Sequence, residues 1–276
     1  MNREQRQQLA RLTLDALQQG HYTAPSGRVV SIEAWQHAAH HGSLLYRPAD
    51  ADALGQEPGA QSGAAPAEVR VYPATTLEAA AALSREYERV GVLNFASARN
   101  PGGGFLGGSQ AQEESLARSS GLYPCIAQFT EMYGHNAHLN GLYSDYLIYS
   151  PGVPVLRTDA GAWLEQPYRI DVITAPAVNA GALRRNNPEL LPELAPTMRR
   201  RMRLVLGAAA RHGCEALVLG AWGCGVFGNE PAEVARLFAE VLAEPGSRNR
   251  FKRIDFAVFD PKPPHATLGA FEAAFQ

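Results

Sequence analysis

Apolar runs of strand length that feed straight into glycine-rich loops constrain this chain more than any other feature. Val90 to Phe95 leads into Asn100-Pro101-Gly102-Gly103-Gly104, and Ala216 to Gly220 leads into Ala221-Trp222-Gly223-Cys224-Gly225-Val226-Phe227-Gly228-Asn229. A short, continuously apolar run suits a strand covered on both faces. A helical pattern follows each loop, Gln112 to Ser119 after the first and Pro231 to Ala243 after the second. Strands alternating with helices predict an α/β domain of three layers, with a mainly parallel or mixed sheet and helices on both faces. Ligands on such sheets bind at the carboxyl ends of the strands, so both glycine loops belong on one edge.

The other elements fit this frame. Residues 3 to 19, with Leu9, Leu12, Leu14 and Leu17 near helical spacing, predict an amphipathic helix ended by Gly20. Arg28 to Ile32 reads as a short strand and Glu33 to His41 as a second helix. Ala49 to Ala67, rich in Ala, Gly, Pro, Gln and Asp, reads as a mobile loop or linker dividing residues 1–66 from 67–276. Further strands are expected at Val69 to Tyr72, Tyr143 to Tyr149, Val153 to Arg157, Arg169 to Thr174 and Ile254 to Phe259. Further helices are expected from Thr75 to about Arg89, with Thr75 and Glu78 as a capping box, and at Pro124 to Tyr133, Pro188 to His212 and His265 to Phe275. Arg199, Arg200, Arg201 and Arg203 read as a solvated face. His37 and His41, one helical turn apart, read as surface histidines rather than metal ligands.

Composition narrows the function classes. A net charge of -2 gives no general footprint for nucleic acid or a membrane surface, so a polyanionic ligand must be met locally. Cys125, Cys214 and Cys224 form no metal pattern, and so odd and sparse a count suits a reducing cytoplasm. There is no apolar run of transmembrane length, and the N-terminal residues are too polar for a signal peptide. Neither a metal nor a cofactor is implied.

The chemistry-bearing residues sit in and after the two loops. Unshielded N–H groups of a glycine run can lie close against a ligand. Adjacent carboxylates Glu113 and Glu114 suit acid–base work on a sugar or phosphate compound, although Glu is also favoured in any first helical turn. The second loop is the natural phosphate site, with the helix from Pro231 presenting its positive end and Asn229 as its N-cap. Phe227 suits either stacking on a sugar or base or plugging the core. Cys224 reads as small and inert, since no histidine adjoins it. Gly223, Gly225 and Gly228 also spell the dinucleotide fingerprint Gly-x-Gly-x-x-Gly, but only one strand follows them.

Gly102-Gly103-Gly104, seven residues, then Gln112-Glu113-Glu114 resembles the signature of poly(ADP-ribose) glycohydrolases. The text from Leu93-Asn94-Phe95-Ala96-Ser97 to Ser115-Leu116, with Tyr149-Ser150-Pro151, Ile173-Thr174-Ala175-Pro176 and Gly220 to Asn229, resembles their bacterial-type branch. The resemblance spans roughly residues 70 to 260 and implies a macrodomain-like catalytic domain over 67–276, with 1–66 as an N-terminal helical extension and linker. It implies hydrolysis of ribose–ribose O-glycosidic bonds, mainly from the chain end, releasing ADP-ribose. Glu114 takes the place of the acid/base, Glu113 that of a companion holding ribose hydroxyls, and Gln112 supports both. Asn100 and Gly102, Gly103 and Gly104 line the ribose. Gly223, Cys224, Gly225, Val226 and Phe227 form the diphosphate loop, with Phe227 positioning the distal ribose. Phe259 stacking on adenine and Thr267 closing the space for a further polymer unit complete the expected site. The partners are poly(ADP-ribose) and ADP-ribosylated proteins, without membrane or direct DNA binding, for a cytoplasmic monomer. A non-catalytic ADP-ribose-binding macrodomain and a hydrolase of single ADP-ribose modifications are the alternatives; only the former has no need of Glu113 and Glu114.

Overall fold

A computed structural model describes residues 1–50, 53–54 and 65–276. In chain order the elements are α1 (Arg3–Gln19), β1 (His21–Thr23), β2 (Val29–Ser31), α2 (Glu33–Gly42), β3 (Leu44–Tyr46), β4 (Glu68–Tyr72), α3 (Thr76–Leu83), β5 (Val90–Phe95), α4 (Gln112–Ser119), α5 (Leu122–Ala127), α6 (Thr130–Ala137), β6 (Leu147–Arg157), β7 (Trp163–Ala175), α7 (Ala180–Asn186), α8 (Leu194–Arg211), β8 (Ala216–Leu219), α9 (Pro231–Ala243), β9 (Arg253–Ala257) and α10 (Ala266–Ala274). Among the described residues no helix is long and apolar enough to cross a membrane.

Among the described residues seven strands form one mixed sheet in the order β3-β6-β7-β5-β8-β9-β4. The five from β7 to β4 run parallel, while β6 is antiparallel to both β3 and β7. Alternation along each strand splits the core between two faces. Val90 and Val92 of β5 pack with α3, α4, α5 and α6, whereas Leu93 packs on the opposite face with α8 and α9. The three-layer reading is therefore correct. The parallel strands share one carboxyl edge, where both glycine loops emerge.

The N-terminal segment holds more than helices. β1 and β2 form a hairpin, and β3 is hydrogen-bonded to β6 as the sheet's first strand. The linker reading for Ala49 to Ala67 lies largely on residues outside the described ones. Within it, Leu54 and Ala67 are buried in the main core.

Several boundaries differ from the sequence pattern for identifiable reasons. The helix expected to reach Arg89 stops at Leu83, whose carbonyl accepts N–H groups from both Glu86 and Tyr87 and closes a turn. Tyr143 to Tyr149 and Val153 to Arg157 do not form two strands about a turn; one strand starts at Leu147 and crosses Pro151-Gly152 as a bulge. Gly152 takes φ 57° there, and its N–H donates to Asp171 Oδ1 at 2.7 Å, so the chain kinks without reversing. The expected 124–133 helix is two short helices, α5 and α6. The long basic helix begins as a 3-10 turn, Pro188–Glu193, because Pro192 interrupts the α-helical hydrogen bonding. β9 ends at Ala257, two residues before Phe259.

The arginine run is also divided. Arg199 pairs with Glu240 and Arg203 with Glu244, but Arg201 is only 3% exposed. Its guanidinium donates to Asp145 Oδ1 (2.9 Å), Pro176 O (3.2 Å) and Leu142 O (2.6 Å). Arg201→Ala leaves Asp145 to Arg200 alone, which still pairs with its Oδ2 at 3.0 Å, and strands two carbonyls, with an expected cost of about 3 kcal/mol in urea unfolding. Arg199→Ala breaks a half-exposed pair and is expected to cost less than about 1 kcal/mol in the same measurement.

Candidate active site

The site starts where β8 leaves β5. Their pairing covers only Val90 to Val92, so the next stretch of β5 lacks a strand on that side. The Gln112 side chain takes the strand's place: its Oε1 accepts the Phe95 N–H at 2.8 Å, and its Nε2 donates to Leu93 O at 2.7 Å. The first turn of α4 is thereby hydrogen-bonded to the sheet edge, and Glu113 and Glu114 follow directly.

The two carboxylates have different surroundings. Glu113 is 3% exposed; its Oε2 accepts the Ser97 N–H at 2.7 Å and its Oε1 accepts Asn94 Nδ2 at 3.2 Å. Glu114 is half-buried, and its Oε1 accepts the Gly104 N–H at 2.9 Å. Gly103, at φ 59°, lies against both: a Cβ there would collide with Glu114 Oε1 and stand 3.2 Å from Glu113 Oε2. Gly102 also requires a positive φ, and Asn100 closes the turn by accepting the Gly103 N–H through its carbonyl. The first motif is thus brought together as expected, with Asn100 exposed at its rim.

Burial dominates the electrostatics. It pushes the Glu113 carboxyl up to about 8, against the opposing hydrogen bonds from Ser97 and Asn94, and the neighbouring Glu114 adds to the rise.

Contacts that the sequence did not reveal hold this unit from behind. Arg3 Nε donates to Gly107 O (2.8 Å) and Arg6 Nε to Gly108 O (2.7 Å), so α1 grips the loop that follows the three glycines. Farther along α1, Thr13 Oγ1 donates to Arg118 O in the last turn of α4 (2.6 Å). Arg118 itself donates to Ser109 O (2.8 Å) and Gln110 Oε1 (2.6 Å). Ser115 donates to Asp159 Oδ1 at 2.8 Å, and Asp159 also accepts Thr75 Oγ1 at 2.6 Å. Only Asn94 carried a signal, a polar residue in an otherwise apolar run.

The second loop faces the same edge. Gly223 (φ 78°) and Gly228 (φ 65°) take left-handed backbone, whereas Gly225 does not. A Cβ on Gly223 would stand 2.7 Å from Ala177, but one on Gly225 meets open space. Among the described residues, the N–H groups of Gly225, Val226 and Phe227 have no hydrogen-bond acceptor. Val226 is 88% exposed. Asn229 is not the helix cap; its Nδ2 donates to Val178 O (2.7 Å) and Gly223 O (3.1 Å), bracing the loop, and Glu230 caps α9 without a side-chain bond. Burial pushes the Cys224 thiol up to about 12, which makes it a poor nucleophile. Phe227 is half-buried against the core, with its ring centroid 5.9 Å from that of Tyr143.

Arg99 joins the two loops, lying over the Tyr143 ring at 5.9 Å while Tyr143 meets Phe227. Phe259 and Thr267 sit beyond β9, two strands from β5, and no described contact ties them to the carboxylates. Phe259 is exposed, and the Thr267 N–H donates to Asp260 Oδ2 at 2.9 Å. Behind them Phe271 is fully buried. Among the described residues no group of three or more His, Cys, Asp or Glu is arranged to hold a metal ion. His37 and His41 stack with centroids 4.0 Å apart.

Glu113 makes stability depend on pH with a defined sign. Below its ordinary value of 4.5 both folded and unfolded chains hold the proton, and the contribution is complete. Between 4.5 and about 8 only the folded chain keeps it, so stability falls as pH rises. The slope reaches up to about 1.4 kcal/mol per pH unit. Glu113→Gln has no such proton to lose, and Asn94 can turn its amide to suit the new donor. Melts at pH 5 and pH 8 are expected to show a steeper decline for the wild type than for this variant.

The comparisons with known proteins agree with this geometry. The family described as "Microbial-type PARG, catalytic domain" matches residues 10–158. Poly(ADP-ribose) glycohydrolase from Thermomonospora curvata is similar at 47% identity, TM-score 0.94, over 99% of this chain and 100% of that one. The same enzyme bound to the inhibitor ADP-HPD is similar at 45% identity and TM-score 0.91, with 99% and 100% covered. The Deinococcus radiodurans enzyme in complex with ADP-ribose is similar at 45% identity and TM-score 0.81, over 87% of this chain and 96% of that one. No curated protein sequence matches. With the Gly102–Gly104 and Gln112–Glu114 unit assembled on a mixed α/β sheet, the chain belongs to the microbial-type poly(ADP-ribose) glycohydrolases.

Proposed function

We propose that this enzyme hydrolyses the ribose–ribose O-glycosidic bonds of poly(ADP-ribose), mainly from the chain end, with Glu114 as the acid/base. The observation that carries the reading is the placement of Glu114 against the Gly103-Gly104 backbone, beside a buried Glu113. A glycosidic oxygen is a poor leaving group unless it is protonated as its bond to the anomeric carbon breaks. Glu114 gives its proton to that oxygen, and the ribose passes through an oxocarbenium-like state. The carboxylate then takes a proton from the attacking water, which bonds to the anomeric carbon and restores Glu114. Adjacent residues cannot straddle the sugar as two opposed carboxylates do, so no covalent sugar intermediate is invoked.

The same reading assigns the remaining roles. Glu113 holds ribose hydroxyls and, with a carboxyl raised to about 8, retains its proton at neutral pH in the ligand-free site. The N–H groups of Gly225, Val226 and Phe227, next to the start of α9, take the diphosphate. Phe227 presents its exposed edge to the distal ribose. The substrate diphosphate held there adds negative charge that favours the oxocarbenium-like state. Phe259 stacks on adenine, and the connection to Thr267 closes the path for a further polymer unit. The same reading makes ADP-ribosylated proteins the partners and a macrodomain the fold type. The three free cysteines suit a cytoplasmic protein.

Glu114→Gln is expected to lose at least ~10²-fold in release of ADP-ribose from purified polymer while still binding ADP-ribose by calorimetry. Near-wild-type turnover would remove Glu114 from the mechanism. In an early digest of long polymer, monomeric ADP-ribose with gradually shortening chains is expected. Abundant intermediate oligomers would instead show that the groove is open beyond Thr267.

A further inference from the structure

Tyr143 has backbone strain that its own sequence neighbourhood does not require. It adopts φ 57°, a left-handed conformation that a bulky aromatic residue rarely takes and that costs energy wherever it occurs. Such a conformation persists only where the surroundings over-determine it. Here they do: Asn179 N–H donates to Gly141 O (2.8 Å), Arg201 donates to Leu142 O (2.6 Å), and Ser144 N–H donates to Asn136 Oδ1 (2.8 Å). The residues on both sides of Tyr143 are pinned, two of the pins coming from distant parts of the chain.

The result is a ring set among three loops at the carboxyl edge. Arg99, from the loop after β5, lies over one end at 5.9 Å. Phe227, from the loop after β8, meets it with centroids 5.9 Å apart. Asn179, from the loop after β7, donates to the Tyr143 hydroxyl at 3.3 Å. Asn179 also caps α7 by accepting the Ala182 N–H at 2.8 Å. In that same turn the Gly181 N–H donates to Phe227 O at 2.9 Å. The Phe227 backbone is thus anchored on one side by α7, and its ring is supported on the other by Tyr143.

We propose that Tyr143 is a positioning residue that sets the orientation of the Phe227 ring and so fixes the distal ribose against Glu114. This rests on the role given above to Phe227. The ring, rather than the hydroxyl, carries the effect.

The test uses Tyr143→Gly and Tyr143→Asn, both of which tolerate the left-handed backbone without supplying a ring, together with Tyr143→Phe. The ringless variants are expected to fold, to bind ADP-ribose nearly as the wild type does, and to lose about tenfold to a hundredfold in kcat, the scale of a misplaced substrate. Tyr143→Phe is expected to restore most of the rate. In a Phe227→Ala background the Tyr143→Gly change is expected to add little, because the residue acts through Phe227. A ringless variant with wild-type kcat, or full additivity in the double variant, overturns the inference. So does a crystal structure of Tyr143→Gly in which the Phe227 ring keeps its place, whatever the activity. A wild-type enzyme that releases no ADP-ribose refutes the proposed function; the crystallographic outcome then decides the role of Tyr143 by itself.

Discussion

The site depends on a side chain standing in for a strand. Where β8 diverges from β5, the Gln112 amide supplies one acceptor and one donor at ladder spacing, to Phe95 N–H and Leu93 O. Without it two backbone groups at the sheet edge lose their partners, and the first turn of α4 loses its tie to the β5 backbone. Few side chains can replace it. Asn is a methylene shorter, and an ionised Glu accepts but cannot donate. The two residues that follow therefore inherit the rigidity of the sheet. Glu113 turns into the interior to meet Asn94 and Ser97, and Glu114 turns toward the glycine backbone. Adjacent positions on one helix thus have unlike environments, and that difference separates a buried carboxyl from one set against the glycine backbone.

The glycine loops complement this arrangement from opposite sides. Gly103 omits a side chain where one would occupy the place of Glu114, so the first loop is shaped by close approach. The second loop is shaped by outward-facing N–H groups. Its bracing runs inward, through Asn229 to Val178 O and Gly223 O. The two loops meet through Arg99, Tyr143 and Phe227.

What could be read from the residues is what local pattern determines. β5, α4 and α9 have the expected ends because apolar runs, a first-turn Gln-Glu-Glu and a Pro start are local signals. Gly102 to Gly104 with Gln112 to Glu114 was legible for the same reason. The misplacements arise where a partner far along the chain decides. β6 continues through Pro151-Gly152 because Asp171 takes the Gly152 N–H. Arg201 is buried although its neighbours in the run are paired at the surface, because Asp145, Pro176 and Leu142 surround it. Asn229 looks like a cap but is taken by Val178 and Gly223. Tyr143 carries no sequence sign, since its conformation is imposed by Asn179, Arg201 and Asn136.

The grip of α1 on the loop after the three glycines is made to carbonyl oxygens. Arg3 and Arg6 reach the backbone of Gly107 and Gly108, and Thr13 reaches the backbone of Arg118. A carbonyl is the same acceptor whatever side chain its residue bears. At Gly107, where an added Cβ would meet only the tip of Arg3 at 3.9 Å, the loop is free to drift in sequence while the grip survives. The two partners are coupled in space but not in residue identity. Descendants of this chain can rewrite that part of the loop without a matching change in the helix that steadies it.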